Sequence, residues 1–183
     1  MRPRAQVSEV MRDVIRLFVQ IALLRRGPQD LPASTFLLVV TVIGYAVVVV
    51  VVSSLLPPTS AWSMPLLVYV LFTLAWYIGM LRLVGRPERT VQTVTAVFGL
   101  QAVVSPPMIV SQWLMRRFGQ DSDWQLPIAF SGLVLVIWLI AALSQVVKAA
   151  LEWSTAASVA LVILQIAAAQ LVAIAVFPTG AFS

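Results

Sequence analysis

The chain contains no cysteine and no histidine. Their absence removes disulfides, thiol nucleophiles, imidazole bases, histidine-ligated haem and the usual zinc and iron–sulfur ligand sets. Charge is scarce as well: 10% of the 183 residues are Asp, Glu, Lys or Arg, where a soluble domain carries about 25%. No charged residue falls in the interior of the long apolar runs, so the usual mark of a proton relay, ion path or charged-substrate site is missing. Paired carboxylates at depth and a nucleophile beside a base are absent too. Gly85 and Gly99 stand alone instead of forming a phosphate-binding loop. These absences point away from an enzyme and leave no cofactor-binding, metal or catalytic residue to nominate.

What is present is apolar. Hydrophobic residues make up 61% of the chain and the mean hydropathy is +0.98. The expectation is an all-α integral membrane protein, a single membrane domain over 1–183 with five transmembrane helices. Uncharged or nearly uncharged runs place the crossings at about 35–56, 64–83, 91–115, 126–147 and 156–177. The first includes six consecutive valines, 47–52, and Ser34 or Thr35 stands ready to cap it. A run of this length at about 1.5 Å per residue covers the roughly 30 Å hydrocarbon core.

Before the first crossing, Val14, Ile15 and Phe18 continue a helical spacing begun by Val7, Val10 and Met11, with Glu9, Arg12, Asp13, Arg16 and Gln20 largely opposite. That pattern predicts an N-terminal amphipathic helix over about 6–25, lying in the membrane interface and stopped by Gly27-Pro28. The extended charge of this segment and its lack of a small-residue cleavage pattern differ from a secretory signal peptide.

The net charge of +5 comes from eleven arginines and Lys148 set against seven acids. Six of the twelve cations precede the first crossing, three lie between crossings two and three, and Lys148 lies between four and five. Those ten share one side; Arg116 and Arg117 take the other. The positive-inside rule predicts a multi-pass protein of the cytoplasmic (inner) membrane, N-terminus in and C-terminus out. Arg12, Arg16, Arg25, Arg26, Arg82, Arg86 and Arg89 form a basic edge suited to anionic headgroups, so membrane lipid and not nucleic acid is the expected partner.

Within the third crossing Gln101, Ser105, Pro106, Pro107 and Gln112 interrupt the apolar run, and Gln165 and Gln170 interrupt the fifth. A side-chain amide in hydrocarbon needs a hydrogen-bond partner, so these residues read as helix–helix contacts or as the walls of a small polar cavity between crossings three and five. Pro106-Pro107 predicts a kink or local unwinding. The fifth crossing is alanine-rich, and Ala156/Ala160 and Ala169/Ala173 have the four-residue spacing that permits close helix approach.

Arg89-Thr90-Val91-Gln92-Thr93 leading into a helix, Gly99 followed by Pro106, Trp138 in crossing four, and Ser154 opening onto Ala156-Ala157 resemble the Yip-type family of small five-span membrane proteins, named for binding Rab GTPases. Leu100 replaces the tyrosine that often follows the glycine, and the long acidic N-terminal region of eukaryotic members is missing. The arginine-rich, compact chain looks like a bacterial member. The resemblance implies a membrane-organising or assembly role without enzymatic activity. The leading functional expectation is an accessory subunit that associates laterally with another membrane protein or with its own copies. The alternative is a transporter or channel component for a neutral or lipid-like substrate, using the proline-bearing third crossing.

Overall fold

The computed structural model describes residues 3–56, 63–119 and 122–177. It has six α-helices: α1 Pro3–Ala22, α2 Thr35–Ser54, α3 Ser63–Leu83, α4 Thr90–Phe118, α5 Ser122–Leu151 and α6 Thr155–Val176. Short 3₁₀ turns at Pro28–Asp30 and Pro87–Arg89 precede α2 and α4. Among the described residues there is no strand. Five helices, α2 to α6, are long and apolar enough to cross a bilayer, which makes this a multi-pass membrane protein.

The bundle is built around α4. Nine consecutive residues of this helix, 93–101, are buried, so its first half is enclosed on every side. Enclosure all round explains why its polar residues do not mark a solvent face. Thr93 and Thr95 donate back to the carbonyls of Arg89 and Val91, at 2.8 and 2.7 Å, and so keep their hydroxyls satisfied inside a dry core. The helices around it are apolar on their outer faces. Phe36, Ile43 and Val47 of α2, Leu71 of α3, Phe130 and Ile137 of α5, and Leu171 of α6 are all exposed. Lipid, not water, suits such a surface.

Caps and charges set the helix ends. Ser34 accepts from the Leu37 N–H at 3.3 Å and starts α2; Ser154 accepts from the Ala157 N–H at 3.3 Å and starts α6. Helix α5 extends four residues beyond the expected stop at 147, through Leu151. Its last turn is held by Arg89, whose Nη1 donates to the carbonyls of Ala149 and Ala150 at 2.9 and 3.3 Å. Arg89 and Arg86 also bind one carboxylate: Arg86 Nη2 lies 2.7 Å from Glu152 Oε2, and Arg89 Nη2 lies 2.6 Å from Glu152 Oε1. The loop between α3 and α4 is thereby tied to the loop between α5 and α6.

Two expectations about helix ends and breaks need correction. Helix α1 stops at Ala22, before Gly27-Pro28. Leu24 adopts a left-handed φ of 61°, and the Arg25 N–H closes the end on the Gln20 carbonyl at 2.9 Å. Helix α4, in turn, does not unwind at Pro106-Pro107 but runs unbroken from Thr90 to Phe118. The prolines deprive the Ala102 and Val103 carbonyls of their i+4 donors. Ser105 Oγ approaches the first of these at 3.5 Å, a long contact that offers partial replacement.

Helix α1 is docked on the bundle at its C-terminal end. Phe18, Ile21 and Ala22 are buried, whereas Ile15, expected on the same apolar face, is 55% exposed. Phe18 packs directly over Gly99 of α4, where a Cβ would run into the phenyl ring. Trp138 Nε1 of α5 donates to the Ala22 carbonyl at 2.8 Å and satisfies one of the open acceptors of the α1 terminus. After the turn, Pro28 and Leu31 are buried, and Gln92 Nε2 donates to the Leu31 carbonyl at 2.8 Å. The side chains of Val7, Glu9, Val10 and Met11 lie outside the described residues.

Candidate ligand cavity

A cavity of about 570 Å³ opens among all five spans, within the range of roughly 300–1,000 Å³ that small-molecule sites occupy. It is lined by the halves of α3, α4 and α6 farthest from the Arg86–Arg89–Glu152 cluster: 65–72, 101–112 and 165–177. Tyr45 and Val49 of α2 and Val136, Leu139 and Leu143 of α5 complete the wall. Most of the lining is aliphatic.

The polar groups are concentrated. Gln101, Ser105, Gln112, Gln165 and Gln170 all border the cavity, whereas Pro106 and Pro107 do not. The two deepest amides are held by tyrosines of α3. Gln101 Nε2 donates to the Tyr69 hydroxyl at 2.9 Å, and the Tyr77 hydroxyl donates to Gln165 Oε1 at 2.6 Å. Tyr45 stacks obliquely between Tyr69 and Phe98, with ring centroids 6.4 and 5.6 Å away. Gln101 is 5% exposed and Gln165 is 4% exposed. Gln112 and Gln170 are exposed nearer the far end.

One acceptor in this floor is left over. Gln101 Oε1 is fully buried and has no hydrogen-bond partner within the bundle. A buried acceptor left unpaired costs about 1–3 kcal/mol. Among the described residues no Asp, Glu, Lys or Arg lines the space. Among the described residues no cluster of three or more His, Cys, Asp or Glu could hold a metal ion.

The hydroxyls of crossing four serve their own helix: Ser131 Oγ bonds to the Ile128 carbonyl at 2.8 Å and Ser144 Oγ to the Ile140 carbonyl at 2.6 Å. Ala169 and Ala173 line the cavity, while Ala156 and Ala160 are exposed. Of the basic residues, Arg12, Arg16, Arg25, Arg26 and Arg82 are exposed, whereas Arg86 and Arg89 are engaged with Glu152.

The tyrosines are the functional residues that sequence reasoning missed. The chain has three, Tyr45, Tyr69 and Tyr77, and all three sit inside crossings. A phenol at that depth needs a hydrogen-bond partner as much as an amide does. Pairing two phenols with two buried amides was an available inference.

No family model matches the chain, and neither a curated protein nor a solved structure matches it. The Yip-type resemblance therefore rests on its short motifs alone.

Proposed function

We propose that this protein is a non-enzymatic component of the cytoplasmic membrane that holds a neutral, lipid-like molecule within its five-span bundle. The observation that carries this reading is the cavity itself, apolar in its walls and furnished at its floor with two amide–phenol pairs. Charge-free lining suits a neutral occupant, because an ionised group there would be desolvated without a counter-ion. The steep concentration of arginine at one end supports a topology with the N-terminus in the cytoplasm and the C-terminus outside. In that frame the cavity occupies the outer half of the bundle, and α1 lies at the inner surface with Arg12 and Arg16 available to anionic headgroups.

The accessory-subunit reading draws on Ala156 and Ala160, exposed four residues apart on α6. It explains neither the cavity nor the placement of five polar residues around it, so ligand holding is the better account. The test is purification in mild detergent followed by extraction and mass spectrometry of whatever co-purifies. A stoichiometric neutral lipid that is lost when Ala169→Phe narrows the cavity supports the proposal. Recovery of the same lipids, in the same amount, from the narrowed variant removes it.

A further inference from the structure

We infer that the turn following α1 holds the headgroup phosphate of an anionic phospholipid, with Arg25 and Arg26 as its cations and the exposed apolar edge of α1 against its acyl chains. The site is separate from the cavity, since none of residues 23–26 lines that space.

Depth is the first observation. Tyr45 stands at the middle of the 20-residue span Thr35–Ser54, and its ring meets Phe98 with centroids 5.6 Å apart. Gly99, the next residue of α4, is therefore close to mid-bilayer level, roughly 14 Å from Thr90 at about 1.5 Å per residue. Phe18 packs over that glycine. The Ala22 carbonyl accepts from Trp138, which lies roughly 20 Å along α5 from Leu151. The last turn of α1 is thus sunk well below the helix ends. Leu31, by contrast, is tied to Gln92 in the first turn of α4. Residues 23–30 climb between these two levels, and Arg25 and Arg26 are exposed on the way.

The second observation is the lack of a counter-charge from the protein. Arg86 and Arg89 share Glu152, but Arg25 and Arg26 form no ion pair among the described residues. The nearest acid in sequence, Asp30, accepts the Gly27 N–H at 3.1 Å through Oδ2. A guanidinium exposed to lipid needs an anion, and its long stem lets it reach for the headgroup phosphates. Two cations facing one phosphate favour a head of net negative charge over a zwitterion.

The third is the apolar surface beside the pair. Ile15, Val19 and Leu23 recur every four residues and are all exposed, a strip next to the face that buries Phe18, Ile21 and Ala22. Leu24 extends it from a left-handed φ of 61°, a conformation that favours glycine, with its side chain also exposed. A free phosphate ion leaves this strip bare, whereas a phospholipid covers it with its chains.

The test uses the purified full-length protein in a neutral detergent, titrated with dioleoyl phosphatidylglycerol or dioleoyl phosphatidylcholine, with bound lipid counted by native mass spectrometry. The anionic lipid should bind at least about tenfold more tightly. Arg25→Gln/Arg26→Gln should bring the two lipids to equal affinity and leave the unfolding midpoint unchanged, because both side chains are exposed. Leu24→Gly, which relieves the backbone and removes apolar wall, should weaken phosphatidylglycerol without lowering the midpoint. Arg116→Gln/Arg117→Gln, in the last turn of α4, should keep the preference intact. Equal binding of the two lipids by the unaltered chain, or a preference that survives Arg25→Gln/Arg26→Gln, overturns the proposal. Displacement of phosphatidylglycerol by equimolar inorganic phosphate would make this a site for a free anion and overturns it as well. So does equal loss of the preference in the Arg116/Arg117 variant, which would reduce it to an effect of net charge.

Discussion

At Gly99 two opposing residue-scale effects can be weighed against each other. Glycine inside a helix is less favourable than alanine by about 1 kcal/mol. Alanine here, however, would thrust its Cβ into the ring of Phe18, which is 9% exposed and pinned by the docking of α1. Overpacking of a well-filled contact costs about 1–3 kcal/mol, which outweighs the propensity gain. Gly99→Ala is therefore expected to destabilise the bundle by about 1–2 kcal/mol. In a Phe18→Ala background the same substitution should reverse sign and stabilise by up to about 1 kcal/mol. Unfolding midpoints of the four proteins in one detergent measure this; additive effects would show that Phe18 is not the neighbour that matters. The sequence exposed Gly99 only as a small residue in an apolar run. What it cannot express is which ring from a distant helix crosses over it.

Among the helices, the legible features were those written locally. Crossing positions follow from runs of apolar residues, and Ser34 and Ser154 announce helix starts by their own capping chemistry. The docking of α1 was not legible, because 3.6-residue periodicity describes a face without saying whether lipid or protein covers it. The C-terminus of α5 was misplaced for a related reason: Lys148 reads as a loop residue, yet the helix continues because Arg89, 60 positions away in sequence, binds its last carbonyls. This clamp between loops yields a pH prediction. Glu152 has a left-handed φ of 58°, a strained conformation for any residue but glycine. Hydrogen bonds from Arg86, and next from Arg89, hold its carboxyl well below the ordinary range, at about 2 instead of 4.5. A depressed carboxyl pKa adds stability that is fully present above the unfolded value and is lost as pH falls through the folded one. The clamp should thus be intact above about pH 4.5 and weaken progressively toward about pH 2. Glu152→Gln should flatten that part of the stability-versus-pH curve, with a modest effect at neutral pH because the group is solvent-exposed. An unchanged acid limb in Glu152→Gln would assign the acid sensitivity to other carboxylates.

For the molecule as a whole, the two ends differ in construction, and the proposed orientation in the membrane rests on that difference. One end is drawn together by Arg86, Arg89 and Glu152 and carries most of the cations, whereas the other opens into the cavity between α3, α4 and α6. Positive charge is retained on the cytoplasmic side during insertion, so the proposed topology puts the cation-rich end in the cytoplasm. In that proposed topology the cavity faces outward, and a membrane-impermeant reagent should reach it without crossing the bilayer. Because the chain has no cysteine, single cysteines can report this without background. Gln112→Cys, at an exposed position bordering the cavity, should react with an impermeant maleimide applied to intact cells. Arg82→Cys, exposed at the end of α3, should react only after the membrane is disrupted. The opposite pattern would invert the topology and turn the cavity toward the cytoplasm. If both cysteines react in intact cells, the charge asymmetry does not control orientation in this chain. Under the proposed function and topology, an occupant would enter the cavity through the outer half of the bundle, because the nine consecutive buried residues of α4 close the other half.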